Sequence, residues 1–262
     1  MKIENIKIAI CFSGQIRTGL LTYKNIKNFI GDLIDQCDVF VHTWDVRSET
    51  SSDLSIAGVP FKEPNSLFEE FSKIWNPKKM IVDDFIDWQK QYIRIEPLFY
   101  SLYECDKLRK EYQKENNLDY HFIIKIRPDF IYNPSYKLKD ELEIILNSDY
   151  GNSIYTMDFG NVISLNKFED VFWIATPNVF DVAINYYFER LGTNEVDWQT
   201  EMAEYLIKNN ISFKRLFCGN EGIPYRWSNL YEQNRTVEDY ENNWRRYFFN
   251  LPVSYIYKKK LI

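Results

Sequence analysis

Nowhere does the 262-residue chain approach the roughly 20 consecutive apolar residues that cross a bilayer as a helix. Its opening, MKIENIKIAICFSG, holds only a short apolar stretch, which reads as a first strand and not as a secretory signal. The four cysteines, Cys11, Cys37, Cys105 and Cys218, include no C-x-x-C pair, which argues against a structural zinc site. They are expected to be reduced, and the chain to be cytoplasmic. A surplus of positive charge is also missing: 32 Lys and Arg face 38 Asp and Glu, for a formal net charge of −6. Binding a phosphate backbone needs a basic surface, so no nucleic-acid partner is expected. Internal repeats, linkers and low-complexity tracts are absent, and one domain spanning residues 1–262 is the economical reading.

Two phosphate-binding signatures are missing as well. Gly14 and Gly19 have the spacing that begins a P-loop, but Leu20 and Leu21 stand where Lys and Ser or Thr should follow. That Lys reaches the β- and γ-phosphates, so a nucleoside-triphosphate kinase or ATPase is disfavoured. There is no G-x-G-x-x-G dinucleotide fingerprint after the first strand either.

Aromatic residues, in contrast, are abundant: 19 Tyr, 19 Phe and 7 Trp make up 17% of the chain. Low-GC codon usage and stacking platforms for sugars or bases both account for this, and composition does not separate them. A basic tail, Lys258-Lys259-Lys260, follows the aromatic Tyr247-Phe248-Phe249 and offers a peripheral contact to an anionic membrane face.

The pattern predicts an α/β fold. Residues 6–12 form a short apolar run bounded by Ser-Gly, as expected of a strand buried on both faces. A helical pattern follows over 18–33, then a second buried strand over 38–43, a β-α-β start that argues for a parallel sheet. Residues 47–65, rich in Ser, Asp, Pro and Gly, read as a surface loop. A short helix over 67–74, a strand over 79–82, a helix over 97–116 and a strand over 120–126 come next. The second half is less regular, with strands expected over 153–157, 171–176 and 211–217 and helices over 178–191 and 200–209.

In open parallel sheets, ligands bind outside the carboxyl ends of the strands. Three such ends are conspicuously polar here: Ser13-Gly14-Gln15-Ile16-Arg17-Thr18, His42-Thr43-Trp44-Asp45 and Arg127-Pro128-Asp129. The first joins a Gly turn and an Arg to a helix start, a seat for a diphosphate or nucleotide, or else a plain tight turn. The second places an imidazole, an indole and a carboxylate in one turn. In the third, a guanidinium and a carboxylate flank a rigid Pro. Arg127 suits bidentate pairing with a diphosphate, and Asp129 suits a divalent cation, while a structural Arg–Asp pair is the plainer alternative.

CFSGQIRT, DVFVHTW and IIKIRPDF, in this order and at these separations, resemble a family of bacterial and viral surface-glycan glycosyltransferase-like proteins of lipopolysaccharide and capsule biosynthesis. The resemblance covers roughly residues 6–220. It implies a GT-A-like single domain with a mainly parallel sheet flanked by helices, of the nucleotide-diphospho-sugar transferase type. Residues 1–130 would form the nucleotide-binding half and residues 131–262 the acceptor half. The implied partners are a nucleotide-sugar donor and a glycan or lipid-linked glycan acceptor. Ser13, Gly14, Gln15, Arg17, His42, Asp45, Arg127 and Asp129 are the expected donor-side residues. An Asp-x-Asp motif usually holds Mn²⁺ or Mg²⁺ in such enzymes. Arg127-Pro128-Asp129 stands in its place with a single carboxylate, so metal dependence stays open, with Asp129 as the candidate ligand.

Carboxylates in the later region often face the acceptor in that family. Asp158, after a predicted strand, and Asp197 and Glu201, opening a helix, are the candidates for a base that deprotonates an acceptor hydroxyl. Acidic capping of a helix N-terminus explains the last two equally well. Trp173 and Trp198 are candidate stacking surfaces for the acceptor. The rival readings are a non-catalytic nucleotide- or glycan-binding protein with the same fold and a transferase that moves a phosphate or methyl group.

Overall fold

The computed structural model describes residues 2–47, 61–91, 97–157, 168, 171–189, 198–216, 222–224, 236 and 238. After a 3-10 turn at Ile3–Asn5, β1 (Ile8–Ser13) is buried along its whole length. Helix α1 (Gly19–Ile30) ends at Gly31, whose φ of 61° is a left-handed value that glycine adopts at little steric cost. The chain continues as a 3-10 helix, Gly31–Gln36, in place of the longer single helix expected from the pattern. β2 (Cys37–Trp44) follows, and then β3 (Val46–Arg47) pairs antiparallel with β4 (Phe61–Lys62). Residues 48–60, most of the expected surface loop, lie outside the described residues.

Helix α2 (Asn65–Trp75) closes on Asn76, which takes the left-handed conformation and donates its N–H to the Ser72 carbonyl. β5 (Lys79–Asp83), α3 (Phe85–Gln91), the long α4 (Pro97–Asn116) and β6 (Phe122–Ile126) complete the first part. β7 (Phe130–Tyr132), α5 (Leu138–Leu146), β8 (Ser153–Met157) and β9 (Phe172–Ala175) come next. Then follow α6 (Pro177–Glu189), α7 (Trp198–Lys208), β10 (Ser212–Leu216) and β11 (Gly222–Pro224).

Seven strands form the central sheet in the order β10-β8-β9-β6-β1-β2-β5. β9 runs antiparallel to β6 and β8, and every other neighbouring pair is parallel. This is the expected α/β architecture, a mainly parallel central sheet flanked by helices.

Strand alternation divides the core into two layers. Ile8, Ile10 and Phe12 of β1 pack with Phe29 of α1, Phe71 of α2 and Leu142 of α5. Ala9 and Cys11 of the same strand face the other way, toward Leu102 of α4, Phe180 of α6 and Leu206 of α7. A smaller aromatic cluster of Trp44, Phe85 and Trp88, packed against Tyr100, closes the end of β2.

The strand order fixes where a ligand can sit. From β1 the chain winds outward through β2 to β5, then returns to place β6 on the opposite side of β1. The winding therefore reverses between β1 and β6, and in open α/β sheets it is at the carboxyl ends of the strands beside such a reversal that ligands bind. No helix among the described residues is long and apolar enough to cross a membrane.

Candidate functional site

The two loops at that reversal carry the FSGQIRT and RPDF motifs, and helix α1 ties them together. The Thr22 hydroxyl donates to the Pro128 carbonyl at 2.6 Å. The Asn25 amide donates to the Tyr132 carbonyl at 2.9 Å and accepts from the Tyr132 N–H at 2.6 Å, serving β7 as a neighbouring strand would. Gly19 is required by this close approach: a Cβ there would lie 3.0 Å from Ile16 Cγ2 and 3.2 Å from Pro128 Cβ. The second glycine of the P-loop-like spacing thus serves helix-to-loop packing. Gly14 has a different reason to be glycine, a φ of 102° where any side chain is strained.

Arg17 and Arg127 converge on Asp129. Arg127 grips it as a fork, Nε to Oδ1 at 3.0 Å and an Nη to Oδ2 at 2.8 Å, and Arg17 Nη1 reaches Oδ2 at 2.9 Å. Arg17 is itself steadied by Gln15, whose Oε1 accepts from its Nε at 2.9 Å. Burial alone would raise the Asp129 carboxyl pKa, but the charges and hydrogen bonds of Arg127 and Arg17 outweigh it and hold the group at about 2. The Asp129 side chain is 1% exposed, against 13% and 15% for Arg17 and Arg127, so the cations form the outer surface of the trio. Arg17 also has a φ of 48°, a left-handed backbone in a residue that carries a side chain. The buried Ser13 hydroxyl, at the end of β1, has no hydrogen-bond partner among the described residues. An orphaned hydroxyl at a strand end is a ready ligand contact.

These distances bear on the expected cation. Mg²⁺ and Mn²⁺ favour several oxygen ligands, and Mg²⁺ sits about 2.0–2.1 Å from each. The candidate ligand Asp129 is buried, and both its oxygens are engaged by guanidiniums. No group of three or more His, Cys, Asp or Glu side chains able to hold a metal occurs among the described residues. Among the described residues Asp129 is thus held by two arginines and not by a group of ligands suited to a divalent cation.

The second strand end also departs from expectation. His42 is buried, with Nδ1 2.9 Å from Ser101 Oγ and Nε2 3.1 Å from Asp83 Oδ2. The Ser101 hydroxyl donates to the His42 backbone carbonyl at 3.2 Å. The hydrogen bond from His42 is the main reason the Asp83 pKa is lowered. Ser101 Oγ in turn accepts the Gly14 N–H at 2.7 Å, and the His42 carbonyl shares that N–H at 3.2 Å. The sequence has a hydroxyl, an imidazole and a carboxylate in hydrogen-bonded order, but Ser101 is fully buried, so the chain positions the Gly14 turn and does not present a nucleophile. His42 reaches that turn with its side chain buried between Ser101 and Asp83.

Asp45 is occupied as well. Its Oδ1 accepts the Phe85 N–H at 3.0 Å, capping the start of α3, and its Oδ2 lies 3.3 Å from Lys62 Nζ. Ser101 and Asp83, which sequence reading missed, come from α4 and β5, and no local motif marks them.

On the acceptor side, Asp158 and Asp197 lie outside the described residues, as does the basic tail. Glu201, in the first turn of α7, accepts a hydrogen bond from Tyr186 at 2.9 Å. Trp173 is fully buried under the Lys125 ammonium, 5.2 Å from the ring, so it is core and not a stacking surface. Trp198 is partly buried, edge-on to Phe99 of α4. Since Ser101 lies on that same helix, one turn of α4 connects the Gly14 loop to the start of α7.

No known family profile matches the chain, and none of the curated proteins matches it. Among solved structures it is similar to a cytidylyltransferase from Leptospira borgpetersenii, with a TM-score of 0.42, 14% identity, 96% of this chain and 92% of that chain covered. It is similar to the apo-form glycosyltransferase GlyE of Streptococcus pneumoniae, with a TM-score of 0.43, 12% identity and 95% of this chain covered, and there it spans about half of the other chain, 52%. Mouse xyloside xylosyltransferase 1 gives a TM-score of 0.37, 9% identity, 90% of this chain and 93% of that chain covered. Likenesses this weak carry nothing about activity, and the fold rests on the strand order of the chain itself.

Proposed function

We propose that this chain is a glycosyltransferase that moves a sugar, a hexose or a close relative, from a nucleotide-diphosphate donor to a glycan or lipid-linked glycan of a surface polysaccharide. In this reading one domain does the chemistry in the cytoplasm, with its basic C-terminal tail against the inner membrane face. The observation that carries it is the convergence of Arg17 and Arg127 on one buried carboxylate, from the two loops that flank the reversal of the sheet.

The nucleotide lies across the ends of β1, β2 and β6, with its diphosphate toward Arg17 and Arg127. Ser13 and Gln15 border it, and Gly14 presents the turn that Ser101 and His42 hold. In the transfer, the bond between the anomeric carbon and the diphosphate oxygen breaks, and its electron pair leaves with the diphosphate. The acceptor oxygen bonds to the anomeric carbon, and its proton passes to a carboxylate, for which Glu201, Asp197 and Asp158 are the candidates. Fixed cations beside the leaving group stabilise the charge that develops there.

The test is to incubate the purified protein with a panel of nucleotide sugars and candidate glycans and to follow released nucleoside diphosphate and product mass. Release of one nucleotide with a hexose-sized gain in the acceptor, lost in a folded Arg127→Ala variant, is the expected result. Binding without turnover selects the non-catalytic reading. A phosphate- or methyl-sized gain selects a different transferase.

A further inference from the structure

One edge of the central sheet is unpaired among the described residues. β5 ends the strand order on the β2 side, and β2 is its one neighbour there. An open edge presents N–H and C=O groups that template a further strand, and sheets usually blunt it with a proline, a bulge or a charge. The middle of β5, Met80-Ile81-Val82, has neither a proline nor a charge. Ile81 is 36% and Val82 37% exposed, and Ile86, just past the strand, is 44% exposed.

The pairing with β2 sets the direction of the edge. The Lys78 N–H donates to the Val39 carbonyl at 2.8 Å, and the parallel register then runs from Phe40 opposite Lys79 to Trp44 opposite Asp83. Successive residues of a strand turn their backbone polar groups to opposite sides. Lys78 and Met80 therefore address β2, and Ile81 directs its N–H and C=O to the open side.

The charge order around Ile81 selects what pairs there. Residues 78–84 read Lys-Lys-Met-Ile-Val-Asp-Asp, two cations, three apolar residues and two anions. Laid antiparallel on a copy of itself about Ile81, the segment sets Lys79 opposite Asp83 and Met80 opposite Val82, with Lys78 and Asp84 at the two rims. Ile81 meets its own copy and exchanges both backbone hydrogen bonds with it, as directly opposed antiparallel residues can. Opposite charges across a strand pair attract and like charges repel. A parallel copy would align Lys with Lys and Asp with Asp. A slip of the centre to Val82 would set Asp83 against Ile81 and Asp84 against Met80, stranding every charge. None of the four charged side chains is buried. Lys79 and Asp83 already serve Glu115 at 2.7 Å and His42 at 3.1 Å within the chain. Lys78, 3.6 Å from Asp38, and Asp84, which accepts the Asp87 N–H at 2.8 Å, stand at the surface.

We propose that β5 is the contact between two copies of this chain, paired antiparallel about Ile81 so that two seven-stranded sheets become one continuous sheet. The contact is isologous: each copy offers the same residues to the other. The strands of the two halves then point in opposite directions, so the two candidate sites open at opposite ends of the joined sheet.

Sedimentation velocity of the full chain over a dilution series tests this. The expected result is the mass of two chains at high concentration, falling to that of one on dilution. Ile81→Lys places like charges on the two-fold axis and should leave a folded single chain, its far-UV circular dichroism unchanged. Lys78→Glu and Asp84→Lys each oppose like charges at both rims and should weaken pairing at least about tenfold. Mixed in equal amounts, these two variants present opposite charges to each other at both rims, and a mixed dimer should form. None of the three positions belongs to the candidate site. The mass of a single chain at every concentration overturns the proposal, and so does a mass above two chains. A dimer that Ile81→Lys leaves intact also overturns it, because the contact then lies elsewhere. Weakening by both rim variants without recovery on mixing overturns the antiparallel register and the proposal with it. Should Ile81→Lys unfold, the mixing experiment decides alone, since recovery between two variants does not come from a damaged fold.

Discussion

Two arginine–aspartate clusters in this molecule look alike and differ in which partner faces outward. On α4, Arg109 bonds Asp106 at 2.7 Å and Asp181 of α6 at 3.3 Å, and Lys110 reaches the same two acids at 2.9 Å each. Two cations meet two anions, and the Arg109 side chain is 2% exposed. At the sheet reversal the carboxylate is the buried member, Asp129 at 1% exposed, and Arg17 and Arg127 lie outside it at 13% and 15%. The balanced cluster fastens α4 to α6. The other joins the loops that follow β1 and β6. The direction of exposure distinguishes the two, where the bare presence of an Arg–Asp pair does not.

The comparison can be broken first at its structural arm. Arg109→Ala leaves Asp106 buried with only Lys110 beside it, a loss of about 3–5 kcal/mol for a buried pair stripped of one partner. Thermal unfolding should show Tm falling by roughly 10 °C, while any diphosphate binding measured below that temperature is unchanged. A Tm that stays put would mean the balanced cluster fastens nothing.

Asp129→Asn probes the other arm. The folded pKa of Asp129 is about 2, below its ordinary 3.8. A depressed carboxylate stabilises the fold above its unfolded pKa and loses that contribution as pH falls through the folded one, so the window runs from about pH 4 down to about pH 2. The amount is on the order of 2 kcal/mol. Urea unfolding at a series of pH values should show this decline in the natural chain and a flatter profile in Asp129→Asn. Identical slopes would detach Asp129 from its arginines.

Glu141 on α5 supplies the opposite case, an acid with only a like charge for company. Burial first, and then Asp140, raise its pKa from 4.5 to about 7. The folded state then binds more protons than the unfolded between those values, so stability falls as pH rises across that interval. Glu141→Gln should raise Tm by about 2–4 °C at neutral pH, near 1 kcal/mol after solvent screening. The gain should vanish below pH 4.5. A gain of equal size at every pH would point to packing instead of charge.

Much of the fold was visible in the sequence because its signals are local. The apolar runs at β1, β2 and β6 and the helical spacing along α4 each lie within one element. β7 was not visible: it is three residues long and pairs with β11, about ninety residues later. α5 was passed over although Leu138, Leu142 and Ile145 keep a helical period, since nine residues give a weak pattern. Gly31 and its left-handed φ cut short a helix that periodicity alone carried further. The site divides in the same way. Arg17, Arg127 and Asp129 each stood out by their place at a strand end, but the bond from Arg17 to Asp129 joins residues 112 apart. The Asp83–His42–Ser101 chain draws on three elements separated by tens of residues, and no local pattern announces it.

The clasp of α1 on the RPD segment has a kinetic consequence. Because Thr22, Asn25 and Gly19 set the spacing of the two loops within the fold itself, a ligand arriving there finds its seat already built. Association with a seat of that kind is limited by encounter and not by a slow rearrangement. On a chain of net charge −6, attraction of an anion to any one arginine acts only at short range. The on-rate for a diphosphate should therefore respond weakly to ionic strength, and differences between competing ligands should appear in how long each one stays.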